Sequence, residues 1–316
     1  MIKNNVLHSR LPAASVARKP RLRVQESIWG LLLVLPAFAI VLVFKIIPVL
    51  AGLWASFTEW SALAAPKWIG IANYVHLIKD KVVPQVLENT LFYAGVSTPL
   101  TIVFSLLIAV ALNNKIKGIG LFRTAYYLPV ITATVAVSVI WVRLLSDHGI
   151  LNTLLLNLHF KPVNFLNSTS LSLPSIVLVD VWKNMGFNII IFLAALQDVP
   201  EDIRDAAKVD GANRWQSFFH ITLPMISPAV FFVAMMAIIG SLQSFDLVYN
   251  MSVNHLGGPA RSTSTMGFYI WQTAFRYSKM GYAAALSFAL MLILLAATLI
   301  QWRVRKLWVF GEEQSQ

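Results

Sequence analysis

Six apolar runs, each about as long as a bilayer is thick, limit what this chain can fold into. They lie near residues 28–50, 91–112, 126–145, 174–196, 225–247 and 282–302. A helix needs about 20 residues to cross a hydrocarbon core of about 30 Å. Backbone in lipid must satisfy its own hydrogen bonds, so runs of this length are expected as helices. Pro36, Pro48, Pro99, Pro129 and Pro228 fall inside the runs or near their ends. Neighbouring helices can satisfy the carbonyls that proline frees. The alternative is a large soluble protein with buried helices. The chain is 57% apolar and 12% charged, against about 45–50% and about 25% in soluble domains, so there is too little charge to cover such a protein.

Lysine and arginine set the expected orientation. Lys3, Arg10, Arg18, Lys19, Arg21 and Arg23 precede the first run. With that end inside, the inner segments hold Lys115, Lys117 and Arg123, then Arg204, Lys208 and Arg214, and finally Arg303, Arg305 and Lys306. The outer segments are longer, yet hold only Lys67, Lys79, Lys81, Lys161, Arg261, Arg276 and Lys279. Both termini are therefore expected in the cytoplasm. The net charge of +11 follows from this flanking pattern rather than from a nucleic-acid surface. The first run is expected to be retained, because its apolar core exceeds that of a signal peptide and no A-x-A-like site follows closely. The organisation read from the sequence is a basic tail over 1–27, a membrane domain over 28–305 and a short tail over 306–316.

Chemistry is constrained mainly by what is missing. The chain has no cysteine, which excludes a disulfide framework, a thiol nucleophile and a cysteine-ligated metal. No G-x-x-x-x-G-K-[ST] loop cradles nucleotide phosphates, and no H-E-x-x-H pair or other metal-ligand cluster occurs. The chain is expected to be no enzyme and to bind no cofactor itself. A polytopic membrane enzyme is disfavoured for the same reason.

Between the fourth and fifth runs stands "VPEDIRDAAKVDGANRWQSFFHITLP", over 198–224 with its flank. Asp198 is the expected N-cap with Glu201 three residues on, and Pro200 suits a first turn. Ile203, Ala206 and Ala207 form a small apolar stripe, and Gly211 permits a break. Ala212, Trp215, Phe218 and Phe219 then recur at helical spacing up to Pro224. An interfacial helix lying on lipid would suit Trp215 and Phe219, but such helices favour basic polar faces. This one carries Asp198, Glu201, Asp202, Asp205 and Asp210 against Arg204, Lys208 and Arg214. Docking against another protein fits that charge better.

The same stretch resembles the EAA loop of bacterial ABC-importer permeases, whose core reads E-A-A-x-x-x-G with a later L-P. Asp205, Ala206, Ala207, Gly211, Leu223 and Pro224 take those positions, with Asp210 in the adjoining "DGA" and Phe218 in "FFHITLP". Aspartate at 205 replaces the usual glutamate and shortens the reach by one methylene. With "KWIGIANYVHLIKD", "LGGPARSTST" and "GYAAALS", the pattern over roughly 25–305 resembles carbohydrate-uptake permeases of the maltose and glycerol-phosphate type, on the MalF-like side. The resemblance implies an all-α, six-span permease of the type I importer (MetI-like) fold in the bacterial cytoplasmic membrane. Its implied partners are a cytoplasmic ATPase dimer carrying ATP and Mg, a second related permease, and an extracytoplasmic solute-binding protein. The elbow would dock on the ATPase.

Charge at bilayer depth points to function. Lys45 lies near the end of its run and can snorkel. In the fourth run, "VDVWKNMGFN" sets Asp180, Asn184 and Asn188 one helical turn apart, and "GSLQSFD" in the fifth reaches a similar depth. These groups either glue helices together, with Asp180 paired to Lys183, or line a hydrated cavity. Amides and carboxylates suit sugar hydroxyls, and aromatic rings suit sugar C–H faces. By position, the resemblance implies Asp180, Trp182, Asn184, Phe187, Ser241 and Ser244 as ligand contacts. Lys183 and Gln243 are added on their own chemistry, and Lys183 would also suit an anion such as glycerol phosphate. An ion-coupled transporter using Asp180 and Lys183 as a relay is the remaining alternative. The "HLGGPARSTST" segment reads as a surface turn, or, from the resemblance, as the face toward the binding protein.

Overall fold

The computed structural model describes residues 20–113, 118–252 and 255–309. Lys3, Arg10, Arg18, Lys19, Lys115, Lys117 and the end of the tail at 310–316 lie outside the described residues. The chain divides between Gly52 and Leu53 into two units. The first contains α1 (Pro20–Val41), a π-helical turn at Leu42–Ile46 and the start of α2 (Ile47–Ser56). Together these give a helix from Trp29 to Ser56 that is long and apolar enough to cross a membrane.

After α2 the second unit has a two-residue hairpin, β1 (Thr58–Glu59) antiparallel to β2 (Lys67–Trp68), the one small exception to an otherwise helical fold among the described residues. Then come α3 (Ala72–Lys79), α4 (Val82–Leu112), α5 (Ile119–Ile131), α6 (Thr134–Leu145), α7 (Ile150–Asn157) and α8 (Ser172–Gln197). The elbow holds α9 (Glu201–Val209), α10 (Arg214–Ser217), a π turn at Phe218–Thr222 and α11 (Leu223–Met225). After it follow α12 (Ser227–Leu242), α13 (Asp246–Met251), α14 (Met266–Trp271) and α15 (Met280–Trp308). Among the described residues five helices qualify as membrane spans, or six if α10–α11 and α12, bent by 68° at Ile226, count as one.

Two of the expected runs are interrupted. The third is shared by α5 and α6, because Thr132 and Ala133 are extended, just after Pro129. Its span continues from α6 through α7. The fifth stops at Leu242, and the chain re-enters a helix only at Asp246. The carbonyl of Ser244 in that gap accepts from Thr265 Oγ1 at 2.8 Å. Tertiary contact thus supplies the hydrogen bond that a regular helix would have made.

The bundle is organised around α4, which packs most extensively on α8 and α12. Ser97, Thr98, Thr101 and Ser105 of α4 are all buried. Small and hydroxylated residues let membrane helices approach closely and bond across the gap. Ser97 and Ser241 share a hydrogen bond of 2.7 Å, and Ser105 donates to the Met185 carbonyl at 3.2 Å. Gly186 permits the α5 crossing: a Cβ there would lie 2.2 Å from the carbonyl oxygen of Tyr126. One apolar cluster gathers Tyr93, Ile176, Val248 and Phe268. A second gathers Ala109, Ile189, Phe192 and Val233 nearer the elbow.

Candidate functional site

Two regions carry the sequence-derived candidates, and α8 connects them. At its last turn lies the elbow. Asp198 caps the end of α8, its N–H bonding to the Ala194 carbonyl, and Pro200 is the residue before α9. The expected N-cap role of Asp198 is therefore corrected. The helix ahead of it runs on to Gln197, so Asp198 closes that helix instead of opening the next. Glu201 and Asp202 occupy the first turn of α9, where negative charge favours the positive helix end.

Gly211 has φ +80° with open space around it, a conformation that glycine adopts without strain. Asn213 then starts α10 with a reciprocal capping box. Its Oδ1 accepts the Gln216 N–H at 2.8 Å, and its own N–H donates to Gln216 Oε1 at 2.9 Å. The sequence reading missed this cap, although N-x-x-Q was legible there. Asp205 pairs with Lys208 at 2.8 Å, both well exposed. Of the signature residues Ala207 is buried, Leu223, Pro224 and Phe218 are partly buried, and Ala206, Asp210 and Gly211 are exposed. Trp215, 72% exposed, stacks on Phe219. The elbow thus presents exposed acidic and apolar groups on a rigidly capped frame.

Arg204 is a second residue whose role the sequence did not reveal. Its Nη2 donates to the Leu196 carbonyl at 2.6 Å, crossing from α9 to the last turn of α8. A cation there also complements the negative helix end.

The second region surrounds the middle of α8. Asn184 Nδ2 donates to Asp180 Oδ1 at 2.7 Å, and Asn188 Nδ2 donates to the Asn184 carbonyl at 3.3 Å. The polar stripe is therefore a connected chain. Tyr93 of α4 is fully buried with its hydroxyl near Asp180 and Ser244, yet it makes no hydrogen bond of standard geometry. Lys183 stands near Asp180 without an ion pair or a hydrogen bond. The two attract each other at a distance, without the direct ion-pair contact considered for them.

The remaining candidates separate. Phe187 is half exposed and shares its face of α8 with Lys183, whereas Trp182 is set on another face and packs edge-on against Trp141 at 5.3 Å. Ser241 is buried and bonded to both Ser97 and the Ala237 carbonyl, so its hydroxyl is engaged between helices. Gln243 and Ser244 sit in the break after α12, Gln243 exposed and Ser244 partly buried. Aromatic residues that the sequence reading had not singled out gather beside that break. Tyr249 contacts Trp271 at 4.6 Å and Phe245 at 5.4 Å.

The "HLGGPARSTST" segment is a surface turn only in its first part, where His255, Leu256 and Ala260 are exposed; its hydroxyl tail is not. Thr263, Ser264 and Thr265 are buried. Asn89 of α4 donates to the carbonyls of Arg261 and Ser264, and Thr90 accepts the Met266 N–H. Gly257 and Gly258 at φ +86° and +77° allow the hydroxyl tail to fold back against Ser252.

This helical order and elbow match a known family. Residues 79–307 match the model of the binding-protein-dependent transport system inner membrane component. The chain belongs to this family. It is a multi-pass membrane component of transport, not itself catalytic. The transport component is 36% identical to the probable ABC transporter permease protein YesP of Bacillus subtilis (strain 168), over 96% of this chain and 98% of that protein. It is 35% identical to the lactose transport system permease protein LacF of Rhizobium radiobacter, over 86% and 92%. A chain from the crystal structure of a bacterial alginate ABC transporter, in complex with alginate pentasaccharide-bound periplasmic protein, shares its fold. That match has a TM-score of 0.80 at 22% identity, covering 90% of this chain and 96% of that one. Among the described residues no cluster of histidine, aspartate and glutamate could hold a metal.

Proposed function

We propose that this chain is the permease subunit of an ATP-driven, binding-protein-dependent importer of a sugar or sugar derivative in the bacterial cytoplasmic membrane. The elbow carries the proposal. Capped at Asn213 and turned at Gly211, it offers exposed Ala206, Asp210 and Trp215 for docking while Arg204 ties it to α8. In this reading both termini lie in the cytoplasm, and the elbow docks on an ATPase dimer that holds ATP and Mg. A second permease completes the pore, and a binding protein delivers the solute from outside. The chain holds no nucleotide or other cofactor itself. ATPase closure moves the elbow, and α8 follows as a rigid body.

The sugar class is supported by the relative named for lactose and by the connected amide and carboxylate groups along α8. The proposed contacts are Asp180, Lys183, Asn184 and Phe187, with Gln243 and Ser244 at the break. Trp182 and Ser241 support the helices around them. The experiment is a gentle-detergent pull-down of the tagged chain beside Gly211→Asp. An ATPase and a second permease are expected with the wild type, and the ATPase is expected to be lost from the variant. An ATPase bound equally to both would remove the elbow from the docking surface. An ATPase bound to neither would remove the importer reading.

A further inference from the structure

Lys183, Phe187, Ile190, Ala194 and Gln197 recur at helical spacing, so they share one face of α8. The lower part of this face lines a groove of about 480 Å³, with Ile190, Ala194 and Gln197 opposite Arg123, Thr124 and Tyr127 of α5. Arg123 is the charged residue in that lining, and no carboxylate joins it. Phe187 continues the face above the groove with 49% of its surface exposed. Lys183 stands at the far end, partly buried in the middle of a membrane helix.

The two cations differ in what accounts for them. Arg123 lies near the start of α5, where the bias of basic residues toward one membrane side is sufficient reason. Lys183 has no such reason. An ammonium at this depth is expensive unless it is paired; Asp180 lies near enough to attract it but not within ion-pair distance, and its Oδ1 accepts from Asn184. Lys183 has no ion-pair partner of its own among the described residues. A neutral sugar could accept its hydrogen bond but would bring no counter-ion into direct contact with it. A carboxylate or phosphate would both bond and neutralise it.

We propose that the solute carried along this face is anionic, a sugar acid or sugar phosphate whose charged group binds Lys183 and passes toward Arg123. This rests on the reading of the chain as a sugar permease. Lys183 is then a specificity-determining residue, and the groove beneath it is an exit path free of negative charge.

The test uses the whole transporter, with its ATPase, second permease and binding protein, in proteoliposomes. Oligogalacturonate, glycerol 3-phosphate and maltotriose serve as probes, and Lys183→Gln is compared with Lys183→Arg. Import of one of the acidic probes and exclusion of maltotriose are expected; which acidic probe enters separates carboxylate from phosphate. Lys183→Gln should lower that import about ten-fold or more, as expected for loss of a charge-assisted contact, while Lys183→Arg retains most of it. The solute affinity of the isolated binding protein is measured alongside, so that the effect is assigned to the permease. Maltotriose import at the rate of the acidic probes, or a Lys183→Gln variant that imports like wild type, overturns this inference and leaves the sugar reading intact. Import of none of the three by an assembled complex with active ATPase overturns the sugar reading and this inference together.

Discussion

Arg204 of α9 donates to the main-chain carbonyl of Leu196 in the last turn of α8 at 2.6 Å. The bond joins the elbow to the helix that carries Asp180, Lys183 and Asn184, and under the proposed function it would carry movement of one element to the other. Arg204→Met keeps an unbranched apolar stem and removes the bond. A hydrogen bond from a charged donor contributes about 1.5–3 kcal/mol. Solute imported per ATP hydrolysed should therefore fall about five-fold or more, with ATPase association retained. Paired uptake and hydrolysis assays in proteoliposomes measure this, and an unchanged ratio would show that α8 follows the elbow by another route.

Asp80 is a joint at the other end of the bundle. Its Oδ2 accepts from the hydroxyls of Tyr269 and Tyr282, both at 2.7 Å, and Oδ1 accepts the Val82 N–H at 2.9 Å. Burial alone would raise its pKa, but these three donors and the nearby His76 outweigh burial and hold it below the ordinary carboxylate value. A depressed folded-state pKa gives stability that is present above the unfolded value, about pH 4, and lost as pH falls through the folded one. The thermal unfolding temperature in detergent should fall from about pH 5 downward, and Asp80→Asn should flatten that slope while lowering stability at neutral pH. An unchanged acid slope in the variant would assign the loss to other carboxylates.

Two helical glycines should respond oppositely to alanine. A Cβ on Gly186 would meet the Tyr126 carbonyl oxygen at 2.2 Å, whereas one on Gly240 meets nothing within 4 Å. Gly186→Ala should destabilise by about 1–3 kcal/mol through overpacking. Gly240→Ala should be neutral or stabilising by about 0.5–1 kcal/mol, from helix propensity. Melting of the two purified variants decides this, and equal melting temperatures would contradict the close α5–α8 crossing.

The Ser97–Ser241 bond joins α4 to α12 at 2.7 Å. In a double-mutant cycle with alanine at both positions, the coupling should be near 0.6 kcal/mol, the usual size for such bonds in membranes. Solute affinity should change little, because the Ser241 hydroxyl is engaged between helices. A selective loss of solute affinity in Ser241→Ala would return that residue to the binding site.

The candidate site was only partly legible from the residues. The stripe of Asp180, Asn184 and Asn188 follows from helical periodicity, and the structure links the three by hydrogen bonds. Periodicity could not say that Asp180 turns to Asn184 rather than Lys183, because both lie within reach on one helix. Nor could the position of Ser241 within its run reveal that its hydroxyl faces α4. Phe245, Tyr249 and Trp271 come together only because the chain breaks after Leu242 and folds back.

The sequence by itself determined the membrane runs, the elbow and its glycine hinge, and the absence of a phosphate loop. These follow from local length, composition and backbone freedom, which a single segment expresses without its neighbours. The tertiary structure decided where the third and fifth runs break, which face of each helix is buried, and which polar groups pair. In lipid, freed carbonyls and polar side chains must find partners on other segments. Thr265 meeting Ser244 and Arg204 meeting Leu196 are such partners, and no local pattern encodes which distant residue will arrive.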